Sequence, residues 1–391
     1  MMRLAVVTTH PIQYNAPWFR LLAQTGKLDV RVFYTWEASK NNEKYDPGFK
    51  RVIGWDIPLL DGYDHVFVKN VASQQGSHHF KGIDNPTLIQ EIKDWKAEAV
   101  LIIGWAYKSH LACLRYFKGK IPVLFRGDST LLDEKAGLKK YLRRLALTYV
   151  YRHIDYALYV GENNKQYFKA HGIKTNQLVY APHAIDNTRF IDTDGSYANE
   201  AYKLREKMGI AVDDFVVLFA GKLEEKKNPA FLMQLAAQLK GDKMRFVIVG
   251  NGELETSLKE SAQNDNRIVF LDFQNQKIMP VIYNMADVFI LPSIGPNETW
   301  GLALNEAMAC GRPVIATNKV GGAIDLIKEN GIIISPDEIG KAVSYITKLR
   351  TDKSFFTESK SASINRIQGF SFDVIVDNII QLTDRIKQER K

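Results

Sequence analysis

At 391 residues and a net charge of +8, the chain is longer than one ordinary core, which favours two domains and an anionic partner. Its composition, 46% hydrophobic and 25% charged, is ordinary for a soluble globular protein. No apolar run is long enough to span a membrane, and Cys113 and Cys310 are too few and too far apart for a disulfide framework, which suits a reducing cytoplasm.

In chain order, residues 4–7 read as a first core strand rather than a signal peptide, because the apolar part of the N-terminus is too short. A polar turn, 8–14, then leads into a helix over 17–23. Apolar runs at 30–34, 100–103, 122–125, 156–160 and 178–180 alternate with helical stretches such as 87–95, the pattern of a parallel doubly wound sheet. Residues 191–212 are polar and are expected to be a linker. The pattern then restarts with strands at 215–219, 245–249, 268–271, 287–291, 314–317 and 332–334. The segment from 370 to the end reads as one amphipathic helix. Three domains of sequence follow: 1–192, 193–369 and 370–391.

The stretch 287–322 holds the densest chemistry. It reads as strand, polar loop, helix and strand, with Gly311 suited to the helix C-cap. A helix opening near Gly301 turns unpaired N–H groups and its positive dipole end into the loop, which makes an anion site. Glu298 and Glu306 stand on either side of it. Carboxylates would repel a phosphate, so they read as acceptors for hydroxyl groups, one on a sugar ring and one on a ribose.

Glu298-TWGLALN-Glu306, preceded by ADVFILPS and followed by Gly311, Pro313, Val314, Ile315 and Ala316, resembles the family 4 retaining glycosyltransferases, glycosyl transferases group 1. The resemblance implies the GT-B fold: two Rossmann-like doubly wound parallel-sheet domains facing across a cleft, with the last helix packing toward the N-terminal domain. It places Glu298 on the donor sugar and Glu306 on the nucleotide ribose. Trp300, Gly301 and Leu302 would line the donor phosphates at the helix opening. The segment Ala220-GKLEEKKN-Pro229 is similar to the family's G-R-L-x-x-x-K-G and puts Gly221, Lys222 and Lys227 at the donor diphosphate. There two cations would do the work of a metal ion. Lys222 replaces the usual Arg and Asn228 a usual Gly. Gly252, in a Gly-Asn-Gly turn, is assigned to the donor as cleft lining, although tight turning alone explains such a turn.

The N-terminal half departs from the family. Thr9-His-Pro-Ile-Gln-Tyr14 stands where a Gly-Gly loop is common, and 125–130 lacks the usual His. His10, Gln13, Arg126 and Asp128 are therefore the acceptor-side candidates, with His10 equally readable as a satisfied turn histidine. Asp192-Thr-Asp194 has the form of a metal motif but falls in the polar stretch, so no metal and no cofactor are expected. Residues 137–154 form a basic amphipathic helix in which Lys139, Lys140, Arg143 and Arg144 suit an anionic membrane; a core helix with a solvated basic side is the alternative. The expected partners are a nucleotide-sugar donor and a glycan or lipid-linked acceptor in cell-envelope polysaccharide synthesis. Nucleic acid is not expected, since its usual signatures are missing. The expected place is the cytoplasm, peripheral to the membrane. A nucleotide-sugar epimerase or an inactive scaffold on the same fold are the alternatives.

Overall fold

A computed structural model describes residues 1–36, 43–46, 51–54 and 57–390. Strands form where the sequence supplies unbroken apolar runs. They are β1 (Met2–Thr8), β2 (Leu28–Tyr34), β3 (Glu43–Asp46), β4 (Arg51–Gly54), β5 (Asp64–Phe67), β6 (Ala99–Ile103), β7 (Val123–Arg126), β8 (Tyr156–Tyr159) and β9 (Leu178–Tyr180). The second half adds β10 (Phe215–Ala220), β11 (Met244–Val249), β12 (Ile268–Leu271), β13 (Val288–Leu291), β14 (Val314–Thr317) and β15 (Gly331–Ile334). Every residue of β7, β10, β13 and β14 is buried, as befits strands covered on both faces.

The chain divides into two compact units. Unit 1 is Met1–Glu43, Pro58–His183 and Phe372–Lys391, and unit 2 is Lys44–Ile57 and Ala184–Ser371. The passage between them at His183 and Ala184 comes ahead of the 192/193 boundary read from the sequence. Unit 1 carries a seven-stranded sheet in the order β5-β2-β1-β6-β7-β8-β9, and unit 2 a six-stranded sheet in the order β12-β11-β10-β13-β14-β15. β3 and β4 form a separate pair. The strands of the two large sheets pair in parallel; Leu4 lies beside Val30 and Ala99, and Val217 beside Phe246 and Val288.

Both sheets reverse their strand order once, between β1 and β6 and between β10 and β13. Loops leaving the carboxyl ends of such neighbouring strands open a crevice, the usual ligand position in open α/β sheets. In unit 2 those loops are 221–228 and 292–300, the two segments already singled out for Lys227 and Glu298.

One expectation changes. The polar stretch 191–212 is not a plain linker, because helix Ser196–Lys207 runs through it. Asp192 accepts hydrogen bonds from the Tyr197 and Ala198 N–H groups at 3.2 and 2.9 Å, and Asp194 from Ser196 at 3.0 Å. The apparent metal motif is a helix start, where carboxylates satisfy orphan donors. The last helix, Phe372–Glu389, belongs to unit 1 and packs on helix Ala16–Gln24 and β9. It buries Ile375, Ile379, Leu382 and Ile386 along one stripe, each contributing about 1.5–3 kcal/mol against an exposed position.

Candidate active site

Because β10 and β13 are adjacent and parallel, the loops after them leave the same edge of the sheet side by side. The Ile294 N–H donates to the Lys226 carbonyl at 2.8 Å, tying loop to loop. Lys227 Nζ then reaches Glu298 Oε2 in a direct ion pair. Ser293 Oγ donates to the same oxygen at 3.0 Å, and Thr317 Oγ1 on β14 donates to the Ser293 carbonyl. Glu298 is thus buried but held by a cation and a hydroxyl.

Asn228 has a φ of +50°. Asn tolerates this left-handed conformation better than most residues, so its replacement of the family's Gly keeps the turn. Lys222 lies partly buried at the start of the same loop.

Two glycine pairs fix these loops. A Cβ on Gly321 would lie 1.9 Å from the Thr299 carbonyl oxygen, and one on Gly322 would lie 2.7 Å from the Trp300 ring. Their N–H groups donate to the carbonyls of Glu298 and Trp300, both at 2.9 Å. The loop carrying Glu298 is therefore clamped from below by backbone that admits no side chain. Gly250 and Gly252 do the same for the lysine loop: Cβ atoms there would approach the Gly221 and Leu223 carbonyl oxygens to 2.0 and 2.5 Å. Gly252 is a buttress through main chain.

Gly301, with φ +94°, opens helix Leu302–Ala309, whose first turn presents its N–H groups to the loop. Leu302 is partly buried there. Glu306, inside the helix, is 4% exposed and accepts the Tyr283 hydroxyl at 2.8 Å. The Trp300 side chain turns inward. It is 3% exposed, its indole N–H donates to Asn305 Oδ1 at 2.8 Å, and its ring packs near Phe370. The indole is a strut under the loop, and the Trp300 main chain runs into the helix opening at Gly301.

In unit 1 the candidates behave differently. Arg126 is 4% exposed, and its Nη1 and Nη2 donate to the carbonyls of Ala181 and Pro182 at 2.5 and 2.9 Å. Burial pushes its guanidinium down to about 10, against the opposing charge of Asp128. Arg126 thus holds the chain after β9 and acts through it rather than reaching outward. Asp128 lies 3.5 Å from His183 Nε2, whose basicity burial lowers and the Asp128 hydrogen bond partly restores. His10 Nδ1 is 2.9 Å from Thr9 Oγ1, with its ring edge-on to Trp36. Gln13 is buried, and its Oε1 has no hydrogen-bond partner among the described residues.

Sequence reasoning passed over His183, Tyr283, Ser293 and His110. His110, fully buried, keeps Nδ1–H for the Gly104 carbonyl at 2.8 Å and Nε2 near Thr35 Oγ1 at 2.9 Å; burial pushes it down to about 4. A neutral imidazole fits both bonds, with the Thr35 hydroxyl donating to Nε2. No group of three or more His, Cys, Asp or Glu side chains suited to a metal ion occurs among the described residues.

Residues 201–366 match the family described as glycosyl transferases group 1. Among curated proteins, the chain is 31% identical over 195 residues to the UDP-Gal:alpha-D-GlcNAc-diphosphoundecaprenol alpha-1,3-galactosyltransferase of Escherichia coli, covering 47% of each chain. It is 29% identical over 183 residues to the D-inositol 3-phosphate glycosyltransferase of Xylanimonas cellulosilytica, covering 44% of this chain and 43% of that one. The chain spans about half the length of the curated relatives it matches. Among solved structures, Anabaena Alr3699/HepE in complex with UDP superposes with a TM-score of 0.74 at 18% identity, over 98% of this chain and 100% of that one. Sucrose-phosphate synthase from Thermosynechococcus elongatus gives 0.71 at 17% identity over 100% of both. The fold is that of these GT-B proteins.

Proposed function

We propose, for a chain whose residues 201–366 match the group 1 glycosyl transferases and whose fold is GT-B, that it is a retaining glycosyltransferase of family 4 type. It moves a sugar from a nucleotide-sugar donor to a glycan or lipid-linked acceptor in cell-envelope polysaccharide synthesis. The acceptor is carried at the cytoplasmic face of an anionic membrane. The E. coli relative named above acts on a diphosphoundecaprenol-linked sugar, and that supports an acceptor of this kind.

The observation that carries the reading is the Lys227–Glu298 pair beside the opening of helix Leu302–Ala309. A diphosphate arriving at this helix end meets N–H groups and two lysines, Lys222 and Lys227, on one loop. Those cations stabilise the negative charge that grows on the leaving nucleotide, which lowers the barrier where charge develops. Glu298, already oriented through Oε2, takes hydroxyls of the donor sugar. Glu306 takes those of the ribose. With no protein nucleophile at the centre, a leaving phosphate oxygen accepts the acceptor proton as the sugar transfers on the same face, and configuration is retained.

Incubating the protein in EDTA with a panel of nucleotide sugars, while following nucleotide release and product stereochemistry, tests this. Release of nucleotide diphosphate with a retained anomeric linkage is the expected result. Epimerised donor without any acceptor product would replace this reading with the epimerase.

A further inference from the structure

Helix Leu138–Tyr151 in unit 1 is apolar on two opposite faces. Leu147, Val150 and Tyr151 are buried in the unit's core. On the far side, Leu138, Tyr141, Leu142, Leu145 and Tyr149 follow at helical spacing as a second stripe. These five are 74%, 64%, 59%, 70% and 49% exposed. The core explains the first stripe and leaves the second with no role in the fold. Other large exposed apolar side chains are scattered along the chain, whereas these five share one helix face, the mark of an interaction surface.

The charges around the stripe say what covers it. Helix Leu138–Tyr151 has basic residues and no acidic one. Lys139 and Arg143 are exposed on one flank of the stripe, and exposed Arg152 at the helix end lies over the Tyr149 ring on the other. Lys140 and Arg144 point toward the protein instead. Glu134, from the loop after β7, holds Lys140 Nζ at 2.9 Å and Arg144 Nη2 at 3.1 Å. Although burial acts to raise it, the Lys140 hydrogen bond and the Arg144 and Lys140 charges keep its carboxyl below the usual range. Two of the four cations assigned to docking by sequence are therefore held by Glu134, which offsets one of their two charges.

We infer that this helix lies in the interface of an anionic bilayer, inserting its leucine–tyrosine stripe, with Lys139, Arg143 and Arg152 against headgroup phosphates. Apolar side chains flanked by cations, with tyrosines near both ends, are the chemistry of an in-plane interfacial helix rather than of a spanning one. No helix among the described residues is long and apolar enough to cross a membrane. The inference deepens the reading of a membrane-borne acceptor by naming the surface that meets the lipid. Vesicle binding needs neither donor nor acceptor, so its failure would remove this surface and leave sugar transfer standing.

The test is co-sedimentation of the full chain with phosphatidylcholine vesicles, alone or with about 30% phosphatidylglycerol. Wild type should pellet with the mixed vesicles and not with phosphatidylcholine alone. Leu142→Glu/Leu145→Glu should lose at least about tenfold in partitioning, and since both side chains are exposed, its melting temperature should match wild type. Lys139→Ser/Arg143→Ser should lose about as much and become insensitive to salt. Lys140→Ser/Arg144→Ser should lose clearly less than Lys139→Ser/Arg143→Ser, because Glu134 draws both side chains away from the lipid and offsets one of their two charges. Equal partitioning of wild type and Leu142→Glu/Leu145→Glu would overturn the inference. So would a wild-type dimer, indifferent to vesicles, that the same substitutions turn into monomer, for the stripe would then belong to a second copy.

Discussion

The two units share a sheet architecture and use polar side chains in opposite ways. In unit 2, Lys227, Glu298, Ser293 and Thr317 form one connected chain on two adjacent loops, and Tyr283 holds Glu306 nearby in the same unit. In unit 1, Arg126 and His110 are turned inward onto main-chain carbonyls. The Lys227–Glu298 pair joins side chain to side chain, whereas Arg126 and His110 hold backbone. The lesson is that a buried charged residue near the end of a strand is not by itself a site residue. What matters is whether its hydrogen bonds are made to the fold or left to orient another functional group.

Substitutions should separate along that line. The largest effect is expected at Glu298→Ala, which should lower turnover by about 100- to 1000-fold while nucleotide diphosphate affinity changes far less. A parallel loss of affinity would put Glu298 on the nucleotide rather than the sugar. Arg126→Ala, in unit 1, should act on folding instead. It strips the buried Ala181 and Pro182 carbonyls of a charged donor, so denaturant midpoints should fall by the equivalent of about 3 kcal/mol. Turnover of the folded fraction should be nearly unchanged.

His110 gives unit 1 an acid sensitivity. Its folded value of about 4 lies below the ordinary 6.5, so as the pH falls the unfolded chain takes up the proton first. The stability is fully present above 6.5 and is lost on the way down to about 4, a total of about 3 kcal/mol. Denaturation series at stepped pH should show this loss in wild type and a flatter profile in His110→Asn. The smallest effect is expected at Tyr283→Phe. Removing one hydroxyl from Glu306 should raise the nucleotide dissociation constant by about three- to tenfold. The penalty for a deoxyribose nucleotide should shrink in the same variant. An unchanged penalty would detach Tyr283 from ribose recognition.

Much of unit 2 was legible in the sequence because its chemistry is local. Glu298, Gly301 and Glu306 sit on one loop and the helix it feeds, so spacing alone relates them. The Lys227–Glu298 contact depends on β10 and β13 being neighbours, a fact of topology that no short pattern carries. Gly321 and Gly322 were visible as residues, but their work as a clamp appears only when the Thr299 carbonyl is seen 1.9 Å from an added Cβ. The inward turn of the Trp300 indole was not legible, because an indole at a loop–helix junction has the same sequence context whether it faces ligand or core. His183 went unnoticed since its partner Asp128 lies on a different strand connection. The basic helix left core and membrane open as alternatives; the core takes one apolar face, and the exposed face is the one proposed above for lipid.

The central claim is that the lysine loop and the opening of helix Leu302–Ala309 bind a nucleoside diphosphate. Calorimetric titration of the full chain with UDP, GDP and ADP in EDTA, repeated on Lys227→Ala, tests it most directly. At least one nucleotide should bind wild type without added metal and lose about tenfold or more in affinity in the variant. Equal affinity in wild type and Lys227→Ala, or binding only after a divalent cation is restored, would contradict the account.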